Sequence, residues 1–107
     1  MVYIGHMLDM ARKAMEKVQG KSREDFDEDE NLRMAIALLI QVIGEAARRV
    51  SPVFQQETSH IPWKKITGMR HKLVHDYMHV NYDIVWDVVN VELPRLAQEL
   101  EALFQDT

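Results

Sequence analysis

Between Met69 and His79 the chain reads MRHKLVHDYMH, which gathers Arg70, His71, Lys72, His75, Asp76, Tyr77 and His79 into eleven residues. An imidazole titrates near neutrality and can take or give a proton, while a guanidinium stays charged and grips phosphate oxygens with a planar fork. Together they suit a phosphodiester. RNA carries its own nucleophile in the 2′-hydroxyl, so its cleavage needs a base for that proton, an acid for the leaving oxygen and a cation for the charge on phosphorus. No metal or other cofactor is required in principle. One histidine cannot easily be acid and base at once, whereas two chains meeting at a two-fold axis bring two His75 and two Arg70 to one cleft.

Spacing constrains how these groups meet. On an undisturbed helix His75 lies about 140° round from Arg70, so the two share no face. They converge only if the helix ends near His75, if the long Arg70 side chain reaches round, or if a dimer brings helix ends together. Spacing by itself also allows a plainer reading, either a helix-end ion pair with Asp76 or a capping role for His75 at the C-terminal carbonyls. Tyr77 is then an amphipathic residue with its hydroxyl at the surface. His71, His75 and His79 are four apart, the helical spacing of metal ligands, with Asp76 close by. We expect no metal, because His79 falls beyond the expected helix end and no carboxylate takes the matching position.

The elements that must position this cluster are helices. Ile4, Leu8, Ala11, Met15 and Val18 form the apolar stripe of a first helix, ending near Gly20. KSREDFDEDEN reads as an acidic linker with a cap for the next helix. That second helix, about Asn31 to Val50, repeats Leu32, Ile36, Leu39, Ile43, Ala46 and Val50 in heptad fashion, with Leu38, Ile40 and Val42 widening the stripe. Its face is either bundle core or a dimer seam. Ser51-Pro52 breaks it, and an irregular stretch follows to His60. Pro62 opens a third helix with Trp63, Ile66, Met69 and Leu73 on its core face, so this helix carries the polar cluster. MHVNYD reads as a loop with Asp83 as N-cap of a last helix, kinked at Pro94 and lined by Ile84, Val85, Val88, Val89, Leu96, Leu100 and Leu103. The expected fold is all-α, an antiparallel bundle of about four helices.

Composition agrees. With 107 residues, 47% hydrophobic and 28% charged, residues 1–107 suit one folded domain rather than two, and no stretch approaches a membrane-spanning helix. The absence of cysteine removes disulfides, thiolate metal sites and a Cys nucleophile, and fits a reducing compartment. We expect a cytoplasmic protein. A formal net charge of −4 gives no general attraction for nucleic acid, so any polyanion site must be local; His71, Lys72 and Arg48-Arg49 are candidates to supply it. Glu45 and Asp9 read either as partners of the cluster or as solvated helix faces.

The pattern Arg70-x-x-x-x-His75-x-Tyr77, flanked by IGEAARRVSP, IPWKKITGMR and VNYDIVWDVVNVELPRL, resembles HepT-like toxins of the HEPN ribonuclease superfamily over nearly the whole chain. The resemblance implies a HEPN-like helical dimer and a metal-independent endoribonuclease whose site lies at the subunit interface. Arg70 would stabilise phosphate and His75 would act as acid and base. Such toxins are typically encoded beside an MNT-type nucleotidyltransferase antitoxin that transfers AMP from ATP to the motif tyrosine, here Tyr77, and the homodimer could join the antitoxin in a larger assembly. AMP adds bulk and negative charge where RNA phosphate must sit. The alternative is a HEPN-like dimer that binds a nucleotidyltransferase or nucleotide without cutting RNA.

Overall fold

In a computed structural model the chain folds into helices α1 (Val2–Val18), α2 (Arg23–Glu28), α3 (Glu30–Arg48), α4 (Pro52–Glu57), α5 (Trp63–Thr67) and α6 (Met69–Leu73), followed by a short hairpin of strands β1 (Val74–Asp76) and β2 (His79–Val80). Helix α7 (Tyr82–Asp87), a π-helical turn (Val88–Glu92) and α8 (Leu93–Gln105) complete it. The structure describes residues 1–76 and 79–105, with backbone only at Arg70, Val74, His75 and Asp76. No helix among the described residues is long and apolar enough to cross a membrane.

The apolar spacing of α1 buries Ile4, Met7, Leu8, Ala11, Ala14 and Val18 against α3 and α8. The helix ends in a turn at Gly20, whose φ of 74° is the left-handed conformation that glycine adopts without a Cβ penalty. The acidic segment expected to be a linker is instead partly helical. Ser22 and Asp25 form a capping box: the Ser22 hydroxyl accepts from the Asp25 N–H at 3.1 Å, and the Asp25 carboxylate accepts from the Ser22 N–H at 2.9 Å. The helix exists to carry Phe26, which is fully buried against Trp86 and Tyr82, with ring centroids 5.0 and 6.3 Å away.

Asp29 then caps α3 by accepting the Leu32 N–H at 3.0 Å. Ile36, Ile40 and Ile43 are fully buried, and Leu32 and Leu39 are half-buried at the edges of the stripe. Each full burial of such a side chain stabilises the fold by about 1.5–3 kcal/mol before the entropy of ordering is counted. Helix α5 packs closely at Gly44, where a Cβ would sit 3.3 Å from the Ile66 carbonyl oxygen. Leu38 and Val42, which widen the apolar spacing, point the other way and stay 61% and 38% exposed.

The break at Ser51-Pro52 stands, but the segment expected to be irregular contains α4. Pro52 takes its first position and the Ser51 hydroxyl accepts the Phe54 N–H. Gln55 on α4 donates to the carbonyls of Ala47 and Val50, both at 3.2 Å, so α4 satisfies the end of α3. At the other end of the chain Pro94 leaves the Asn90 carbonyl without its usual donor. The helix answers with the π turn, in which the Leu93 N–H reaches back to the Val88 carbonyl.

Candidate functional site

The helix expected from Pro62 onward divides at Gly68 into α5 and α6. Trp63, Ile66, Met69 and Leu73 are all buried, as their spacing predicts, and they anchor the polar segment to α3. Trp63 is further fixed by its indole N–H, which donates to the backbone and hydroxyl oxygens of buried Thr58 at 3.2 Å. On α6, His71 and Lys72 face solvent while Met69 and Leu73 hold the other side.

Helix α6 ends at Leu73, two residues before His75. The Leu73 carbonyl accepts the backbone N–H of Asn81 at 2.7 Å, a donor from beyond the hairpin in place of the next helical turn. The chain leaves as β1 and returns as β2, pairing Val74 with Val80 and Asp76 with His79 in a slightly irregular antiparallel register. MHVNYD is thus not simply a loop, because His79 and Val80 belong to a strand. Asn81 also caps α7, its side-chain oxygen accepting the Ile84 N–H at 3.2 Å. Asp83, expected as that cap, instead lies in the first turn of α7 and pairs with Arg23 of α2 at 2.6 Å. Asn81 therefore joins α6 to α7 through its own two groups.

This exit removes the angular separation that a continuous helix would impose between Arg70 and His75. The backbone places Arg70 in the second position of α6 and His75 at the centre of β1. The expected roles of the Arg70, His75 and Asp76 side chains, and of Tyr77, lie outside the described residues. The helical metal spacing is overturned, since His75 and His79 are on strands and not on the helix of His71. Among the described residues no group of three His, Asp or Glu side chains is placed to hold a metal. Arg48 and Arg49 are exposed at the end of α3, where Arg48 lies 3.6 Å from Glu45, and Asp9 is exposed on α1.

Beside α6 lies a groove of about 350 Å³ that sequence reasoning did not find. Lys65, Met69, Lys72 and Leu73 form one wall, and Ile84, Asp87, Val88 and Glu92, from α7 and the π turn, form the other. Lys65 spans it to Glu92 at 2.8 Å. A hint was present in the i, i+4 and i+7 positions of Lys65, Met69 and Lys72, but the opposite wall comes from tertiary packing.

These features define a helical domain in which a basic helix runs directly into a histidine-bearing hairpin. The description "Ribonuclease HepT-like" belongs to the family model that matches residues 7–103, and the chain belongs to that family. It is 38% identical over 103 residues to a candidate RNase of Caldanaerobacter subterraneus subsp. tengcongensis, covering 96% of this chain and 92% of that protein. A gamma-glutamylcyclotransferase and candidate RNase of Methanocaldococcus jannaschii is 30% identical over 105 residues, 98% of this chain but 47% of the longer relative. The probable ribonuclease HepT of Thermococcus cleftensis is 32% identical over 80 residues, 75% of this chain and 73% of its own length. No solved structure gives a significant match.

Proposed function

We propose that this protein is the toxin of a HEPN/MNT-type pair, a metal-independent endoribonuclease working as a homodimer in the cytoplasm. The observation that carries the reading is Arg70 and His75 at the helix-to-hairpin exit of a chain in the HepT-like ribonuclease family. In the reaction one His75 removes the proton of the ribose 2′-hydroxyl, whose oxygen bonds to the adjacent phosphorus. The bond to the 5′-oxygen breaks, and that oxygen takes a proton from the second His75 of the dimer. The products are a 2′,3′-cyclic phosphate and a free 5′-hydroxyl, while Arg70 balances the charge on phosphorus. His71 and Lys72 add positive potential beside the motif, and Asp76 orients or pairs with it.

Support for the dimer comes from α3. Met34, Leu38 and Val42 follow one another at four-residue steps and are 56%, 61% and 38% exposed, an apolar stripe on a helix otherwise packed into the core. The helix begins after Asp27, Glu28 and Asp29 and ends at Arg48 and Arg49, so two copies laid antiparallel would set acidic ends against basic ends. Control of the activity would follow from transfer of AMP from ATP to the Tyr77 hydroxyl, with release of pyrophosphate, by a minimal nucleotidyltransferase partner that joins the dimer in a larger assembly.

The test is cleavage of total cellular RNA by unmodified protein in EDTA, beside His75→Ala. Cleavage that survives chelation and is lost in the variant is expected. Intact RNA after incubation with protein whose mass excludes AMP would replace this reading with that of a non-catalytic interaction module.

A further inference from the structure

The groove between α6 and the π turn sits on the same short helix as Arg70. Helix α6 has five residues and is about 7.5 Å long, so the backbone of Arg70 lies within one helical turn of the groove residues Met69, Lys72 and Leu73. A volume of about 350 Å³ lies near the lower end of small-ligand sites and matches one nucleoside, not a helix or a folded partner. Its floor is apolar: Met69, Leu73 and Val88 are buried and Ile84 is half-buried. That floor offers the flat face of a base a dry platform and, in Met69, a thioether suited to aromatic rings.

The rim supplies polar recognition. Lys65 and Glu92 neutralise each other across one end. Lys72 and Asp87 are exposed, and among the described residues neither enters a salt bridge. An ammonium at one edge suits a phosphate, and a carboxylate at the other accepts hydrogen bonds from an exocyclic amino group.

We propose that this groove is a base-specificity subsite, which takes the nucleobase next to the motif-bound phosphate, with Lys72 on a flanking phosphate and Asp87 on the amino group of the base. It rests on the ribonuclease reading for its RNA ligand. Cytosine presents an amino donor where uracil presents a carbonyl, and a carboxylate facing that carbonyl repels it. Preference for cytidine over uridine is therefore expected, on the order of tenfold.

The experiment is a titration of the full, unmodified protein with short 2′-O-methylated oligocytidine and oligouridine, which lack the nucleophile for cleavage, followed by methyl NMR. Shifts concentrated in the methyl groups of Met69, Leu73, Ile84 and Val88 are expected. Oligocytidine should bind about tenfold more tightly than oligouridine. Lys72→Ala should weaken both, and Asp87→Asn should erase the preference; both sites are exposed, and a circular dichroism melt checks that each variant folds. Shifts that bypass the methyl groups of those four residues, or a preference that survives Asp87→Asn, would overturn the subsite. Cleavage of ordinary RNA without groove shifts would remove the subsite and leave the ribonuclease. Groove binding without cleavage would do the reverse.

Discussion

Truncation of Phe26 to alanine tests the claim that the acidic segment is a structural element. Its side chain has no exposed surface, lies 5.0 Å from the Trp86 ring centroid and 6.3 Å from that of Tyr82, and is overlaid by the Arg23 guanidinium at 5.9 Å. A Phe→Ala change at such a site costs about 3–5 kcal/mol, combining lost transfer energy with the cavity left behind. A domain of this size has only about 5–15 kcal/mol in total. At roughly 4 °C per kcal/mol, the melting temperature should fall by about 12–20 °C. Phe26→Leu retains most of the apolar area and loses about 0.5–1.5 kcal/mol of ring–ring interaction together with a smaller packing term. Thermal unfolding by far-UV circular dichroism reads both, with urea midpoints as a second measure. A fall of under about 4 °C for Phe26→Ala would mean that α2 is not fastened to α7 through this ring, and the reasoning for a second short helix would fail.

Other consequences can be checked with the same material. The Asp25 carboxyl is held below its ordinary range, first by the Ser22 backbone N–H and then by the Ser22 hydroxyl. With the folded value depressed, this contribution is present above the unfolded pKa of about 3.9 and is lost as pH falls through the folded value. Asp25→Ala should therefore lower stability near neutrality and flatten the acid limb of a stability–pH curve below about pH 4; an unchanged limb would refute the cap. Gly44→Val should cost about 1–3 kcal/mol by forcing the Ile66 carbonyl away, whereas Gly44→Ala should be nearly neutral because improved helix propensity offsets a single tight contact, and chemical unfolding separates the two. Leu38→Glu should change monomer stability by less than about 0.5 kcal/mol yet yield monomers by sedimentation; a persistent dimer places the seam elsewhere.

Much of this architecture was legible because long helices announce themselves. Ile4 to Val18 and Leu32 to Val50 carry enough apolar residues at helical spacing to fix both the element and its buried face. Short helices lack that redundancy: α2 has one buried residue, Phe26, inside an acidic run, and α4 has none. The end of the motif helix was harder for a different reason. Asn81 and Asp83 are both good caps two residues apart, and the choice follows from the Leu73 carbonyl, whose donor comes from eight positions later in sequence. Local propensity does not carry that information. At the site, residue types raised phosphate chemistry as an expectation, but the helix expected to carry the whole motif stops at Leu73 and leaves His75 on β1, and Lys65 and Asp87, 22 positions apart, line one groove only after packing.

The double hold of Asn81 has a consequence for how the domain tolerates change. A single hydrogen bond from its backbone to Leu73 closes the base of the excursion, while its side chain starts the next helix independently. The strand ends Val74 and Val80, paired with each other, are thereby held beside that closure. Loss of the side-chain hold, as in Asn81→Ala, would leave the backbone closure in place, so the start of α7 and the exit from α6 can be weakened separately.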